Sequence, residues 1–137
     1  MSEQDARIIL AENLFKAWST SDADGPGRYL SEDAVLYDIV GGEHRGWPAI
    51  RKFFGRAVET WSDLVLLPEE YWLNERGVAL RWMMSATTPD DRFGPENEGK
   101  KWHSPGMSYL VIENGKVVYE ADYHDSGARA KSLKGEG

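Results

Sequence analysis

The spacing of apolar residues changes character at Asp63, and that change constrains the fold more than any single motif. Before Asp63 the period is helical. Ala11, Leu14, Phe15 and Trp18 follow i, i+3, i+4, i+7 spacing, and Ile50, Phe53, Phe54, Ala57, Val58 and Trp61 form a second stripe. After Asp63 four strand-like stretches, residues 64–73, 78–87, 101–112 and 116–124, are separated by turn signals at Asn74-Glu75-Arg76-Gly77 and Glu113-Asn114-Gly115. Helices first and a meander after them predict an α+β domain whose curved antiparallel sheet wraps around the N-terminal helices. A sheet of that shape leaves a cavity at its open end.

Local signals set the expected boundaries. Ser2 with Asp5 three residues later reads as a capping box and opens a helix over about residues 4–19. A turn-forming cluster, Ser19 to Gly27, stops it, and a short helical turn is expected to carry Tyr29 and Leu30. Ala34 to Val40 reads as a strand broken by Gly41-Gly42, and Trp47-Pro48 begins the second helix with proline suited to its first turn. The connection from Thr88 to Lys100 is long, polar and rich in Pro and Gly, which suggests a lid.

Composition removes several function classes. A net charge of -7 and no concentration of Lys and Arg argue against a nucleic-acid partner. The chain lacks cysteine, so disulfides, thiolate zinc sites and cysteine nucleophiles are excluded, in keeping with a reducing cytoplasm. Its acidic start carries no signal-peptide hydrophobic region, and no apolar run approaches the ~20 residues of a membrane span. A soluble, cytoplasmic protein without a membrane partner is expected. Six Trp, six Tyr and four Phe supply either a large core or an apolar pocket wall.

The last strand carries the chemistry. Period-2 alternation puts Glu120, Asp122 and His124 on one face, where an apolar cavity would let them move protons near neutral pH. On a solvent face they would be only a wet edge.

Three segments carry a family resemblance: Tyr29-Leu30-Ser31-Glu32-Asp33-Ala34-Val35 before the first strand, Gly46-Trp47-Pro48-Ala49-Ile50-Arg51 at the long helix, and Gly115-Lys116-Val117-Val118 through Asp122-Tyr123-His124-Asp125 at the end of the sheet. Together they make the chain similar to the nuclear-transport-factor-2-like superfamily, in the branches of SnoaL-like polyketide cyclases, ketosteroid isomerases and limonene-epoxide hydrolases. The resemblance covers roughly residues 5–126 and implies a cone-shaped cystatin-like roll with a pocket. Residues 1–137 are expected to form a single domain with a polar, frayed tail over about 127–137.

The same resemblance implies that Asp38 sits at the isomerases' general-base position, and that the pocket faces are Leu80, Trp82 and Met84, then His103, Pro105, Met107 and Tyr109, then Glu120, Asp122 and His124. The isomerases' oxyanion-hole positions correspond by this comparison to Leu14 and Met107, which donate nothing, so ketosteroid isomerisation is rejected. The epoxide hydrolases' Arg and second Asp correspond to Met83 and Ser85, so their triad is incomplete. A SnoaL-like acid/base carboxylate with a nearby histidine fits best, as Asp122 with His103 or His124.

The expected site is therefore Asp122, His103, His124 and Asp38 as acid/base groups, with Trp18, Phe54, Trp82, Met84, Met107, Tyr109 and Glu120 binding substrate. Each has a structural alternative. Asp38 can be a turn residue before Gly41-Gly42, Glu120 can pair with Arg81 or Lys101 across the sheet, and the helical aromatics can be core. His44 is expected on the surface. Two imidazoles and a carboxylate offer a conceivable metal site, but no compact ligand motif is present, and neither metal nor cofactor is expected. The implied activity is cofactor-independent cyclase, isomerase or dehydratase chemistry on an apolar, cyclic or polyketide-like molecule. The alternative is a ligand carrier or dimeric scaffold. A homodimer through the convex sheet face, using Trp72, Trp102, Tyr119 and Tyr123, is expected under either reading.

Overall fold

A computed structural model describes residues 2–135. Its elements, in chain order, are α1 (Glu3–Trp18), β1 (Leu30–Asp38), β2 (Gly42–Arg45), α2 (Trp47–Thr60), β3 (Val65–Leu73), β4 (Gly77–Thr87), β5 (Lys101–Glu113), β6 (Lys116–His124) and α3 (Ser126–Leu133). No helix among the described residues is long and apolar enough to cross a membrane.

The capping box forms as its residues dictate. Ser2 Oγ accepts from the Asp5 amide at 3.0 Å, and the Asp5 carboxylate accepts from the Ser2 amide at 3.3 Å. The stripe of α1 buries Ala11, Leu14, Phe15 and Trp18, and α2 buries Ile50 and Phe54. Both helices pack on one face of the sheet, against Leu36, Val78, Leu80, Trp82 and Leu110.

The sheet is curved and unclosed, in the order β2-β1-β6-β5-β4-β3. Strands β3 to β6 form the expected antiparallel meander. One expectation fails here: β1 pairs with β6 in parallel, so the sheet is mixed rather than wholly antiparallel. The parallel register sets Leu36 beside Glu120 and Asp38 beside Asp122.

Other expectations also need correction. The segment after Gly41-Gly42 is not merely a turn, because Gly42–Arg45 forms the edge strand β2, and His44 there stacks on Phe53 with ring centroids 4.3 Å apart. The short helical turn spans Gly25–Arg28, and Leu30 already belongs to β1. The tail is no frayed coil, since Asp125 caps α3 by accepting from the Gly127 amide at 2.8 Å and the helix packs on β5. The segment from Thr88 to Lys100 folds into two short helical turns, Asp91–Phe93 and Pro95–Asn97, and Phe93 stacks on Trp61 at 4.7 Å.

The largest correction is the register of β5. Trp102, Ser104, Gly106, Ser108 and Leu110 face inward, whereas His103, Pro105 and Met107 are exposed on the other face. Tyr109 shares that outer face, with its hydroxyl 3.5 Å from Asn74 Nδ2. The reason is steric. Gly106 pairs with Trp82, and the indole lies so close that a Cβ on Gly106 would sit 2.2 Å from it. The inner face of β5 is small because the neighbouring strand fills the space. Gly106→Ala should therefore overpack this crossing and cost about 1–3 kcal/mol, read as a lower urea midpoint with unchanged slope.

Candidate active site

Parallel pairing brings two strand ends together, and the site forms there. Asp38 closes β1, where its Oδ1 accepts from the Val40 and Gly41 amides at 2.8 Å each, so the turn residue suggested by the sequence is also a site residue. His124 closes β6, and its Nε2 lies 3.3 and 3.2 Å from the two Asp38 oxygens. Both side chains are largely buried. Burial opposes ionisation of Asp38, but the His124 contact and the two amides outweigh it and hold the carboxyl below its ordinary value. The hydrogen bond to Asp38 raises His124 above its ordinary value against the cost of burial.

Asp122 lies between these and the core. Ser108 Oγ donates to Asp122 Oδ1 at 2.5 Å, and Trp82 Nε1 donates to Ser108 Oγ at 2.8 Å. The serine is thereby oriented toward the carboxylate. Burial pushes Asp122 up, while Glu120, Ser108 and His124 pull it partly back. Glu120 is buried and accepts from Trp18 Nε1 at 3.1 Å, not from Arg81 or Lys101. Arg81 instead meets Glu69 and Glu70 on the outer face. Burial and the neighbouring Asp122 charge push Glu120 well above the usual carboxylate range. The cavity therefore sets two carboxyls of enhanced proton affinity beside a carboxyl and an imidazole whose pairing favours their charged forms.

These groups open into a cavity of about 260 Å³. Glu120, Asp122, His124 and Asp38 line one side, and Trp18, Phe53, Phe54, Trp61, Met84 and Trp102 supply most of the apolar wall. At about 30 Å³ per water, that space suits a ligand of one or two rings.

Of the expected residues, Asp38, Asp122, His124, Glu120, Trp18, Phe54 and Met84 meet at this cavity. Trp82 supports it from behind, 6.2 Å from the His124 ring. His103, Met107 and Tyr109 lie on the far side of the sheet and cannot reach it. Leu14 is core, and Met107, Met83 and Ser85 lie off the cavity face. Sequence reasoning missed Ser108, Trp102 and Arg129. Ser108 and Trp102 belong to the unexpected β5 register, and Arg129 lies in the segment taken as tail. Asp125-Ser126-Gly127-Ala128, with its N-capping aspartate, was the available signal for α3. Among the described residues no three His, Asp or Glu side chains are arranged to hold a metal ion.

The linkage of the Asp38–His124 pair has a definite sign. Its stabilisation is complete between the ordinary aspartate value near 3.8 and the ordinary histidine value near 6.5, is lost in acid as pH falls through the lowered Asp38 value, and is lost in base as pH rises through the raised His124 value. In NMR titration the His124 imidazole should titrate above the ordinary histidine value, and Asp38→Asn should bring it down, because burial then acts without the opposing carboxylate.

A family model for the SnoaL-like domain matches residues 11–120. No curated protein is similar enough in sequence to count as a relative. Among solved structures, a candidate polyketide cyclase from Xanthomonas campestris pv. campestris superposes with a TM-score of 0.83 at 17% identity, over 96% of this chain and 99% of that one. AclR, a candidate hydroxylase from Streptomyces galilaeus, gives 0.77 at 23% identity over 98% of each chain. TerC, solved with polyporic acid, gives 0.75 at 15% identity over 94% of this chain and 98% of its own. At these identities the neighbours share the fold. The family match over most of the chain, on a mixed sheet holding a small apolar cavity, places this protein in the SnoaL-like domain family, with a nuclear-transport-factor-2-like, ketosteroid-isomerase-like fold.

Proposed function

We propose that this protein is a cofactor-independent general acid/base enzyme acting on a small cyclic, largely apolar substrate through enolate-type chemistry. The observation that supports the reading most is the convergence of Asp122, Glu120, Asp38 and His124 in one apolar cavity. Two of these carboxyls are driven up by burial and one is held down by a histidine, a separation of proton affinities suited to distinct acid and base roles. Asp122 is the base, oriented by Ser108 and set beside Glu120, whose neutral form burial favours. It removes a proton α to a carbonyl, while His124, steadied by Asp38, donates toward the developing enolate oxygen. Protonated Asp122 then returns the proton at another carbon of the enolate, or the enolate attacks a second carbonyl of the substrate to close a ring, or it expels a leaving group from the β carbon. This assignment retains Asp122, His124 and Asp38 and drops His103, which is exposed on the opposite face. The neighbouring structures named for polyketide cyclisation, hydroxylation and polyporic acid belong to the same range of cyclic, oxygenated molecules.

A thermal-shift panel of one- and two-ring ketones, quinones and polyketide fragments should yield stabilising ligands, since binding only the native state raises the melting temperature. For an enolisable ligand, proton-deuterium exchange at the α carbon should be catalysed. Asp122→Asn should slow that exchange by about 10²-fold or more while preserving the thermal shift. Stabilisation without any exchange in the wild type would instead identify a ligand carrier.

We further propose that a second copy covers the outer sheet face. Trp72, Met107 and Tyr123 are 44%, 43% and 48% exposed, and Leu67, Met83 and Pro105 run across three strands of that face. Trp102, expected in this interface, is buried inside, and Tyr119 is half-buried. Light scattering should give twice the chain mass, and Met107→Glu should give a folded monomer.

A further inference from the structure

Arg129 is the unexplained charge of the cavity. It projects from α3 into the wall and is half-buried, with its guanidinium carbon 5.3 Å from the Trp61 ring centroid, 5.1 Å from Phe93 and 5.6 Å from Trp102. Three aromatic faces hold the planar cation in place. No carboxylate among the described residues forms an ion pair with it, although the chain carries a net charge of -7 and four other arginines have such partners. Burial alone accounts for its weakened hold on its proton. Of the two basic side chains that line the cavity, His124 has Asp38 as its partner and Arg129 has no carboxylate. The adjoining depression outside Arg129 adds Lys100 and Lys134 against a single Glu96.

A guanidinium without an anion, held against flat aromatic surface, calls for an anionic and planar ligand. The guanidinium fork matches a carboxylate, and the Trp61, Trp102 and Phe54 rings match a planar apolar body.

We propose that Arg129 is the acid-recognising residue of this cavity and selects small aromatic carboxylates of one or two rings. The inference rests on the reading of the cavity as a small-molecule site and adds the ligand's charge and shape. Arg129 anchors the carboxylate at the α3 side, which leaves the ring system extending toward Asp122 and His124.

The test uses 2-naphthoate and its neutral isostere 2-naphthamide, titrated calorimetrically into the full chain. Wild type should bind the acid at least about tenfold more tightly than the amide, with a preference that shrinks at high salt. Arg129→Gln should abolish that preference while keeping amide binding, which also reports an intact fold. Arg129→Lys should retain only part of it, because the charge remains without the fork. Equal binding of acid and amide to wild type, or a preference that survives Arg129→Gln, overturns the inference and leaves the cavity reading intact. Binding of neither probe overturns both.

Discussion

The parallel pairing of β1 with β6 is the constraint on which the rest of this structure depends. Those strands are far apart in sequence, and every element between them serves as one long crossover. The pairing sets Asp38 beside Asp122 and brings the two strand ends to the same edge of the cavity. A one-residue slip would move Glu120, Asp122 and His124 together to the outer face, where none would be desolvated. Their shared register with β1 is therefore an electrostatic requirement as well as a packing one.

Much of this was legible in the sequence because the signals were local and periodic. The capping box at Ser2, the stripe of α2 and the alternation of β4 and β6 each follow from spacing over a few residues. The β5 register was not legible, because apolar residues occupy both of its faces. Met107 and Tyr109 look like better wall than Ser104, Gly106 and Ser108 until the Trp82 indole is known to occupy the space above Gly106. Helix α3 was obscured by low hydrophobicity, its only inward groups being half-buried residues such as Arg129 and Leu133. Strand β2 is four residues long and pairs only with β1, too short for a period to register.

The ionisable groups of the cavity are tuned by their nearest partners. Asp38 pairs with His124, burial favours the neutral form of Glu120, and Asp122 accepts from the Ser108 hydroxyl. Burial supplies the dominant upward push on the two central carboxyls, so the aromatic wall sets proton affinity as well as ligand shape.

The origin of the lining groups has a consequence for how such a protein diversifies. Asp38, Ser108, Glu120, Asp122 and His124 all project from sheet strands tied to one another by backbone ladders, whereas Trp18, Phe53, Phe54 and Ala57 come from helices laid over them. Substitutions at Phe53, Phe54 and Ala57 can reshape the chamber while the strand-borne carboxyls and imidazole keep their places, whereas Trp18 is tied to Glu120 by a hydrogen bond. The shape of the cavity and the placement of its ionisable cluster thus fall largely on separate parts of the chain.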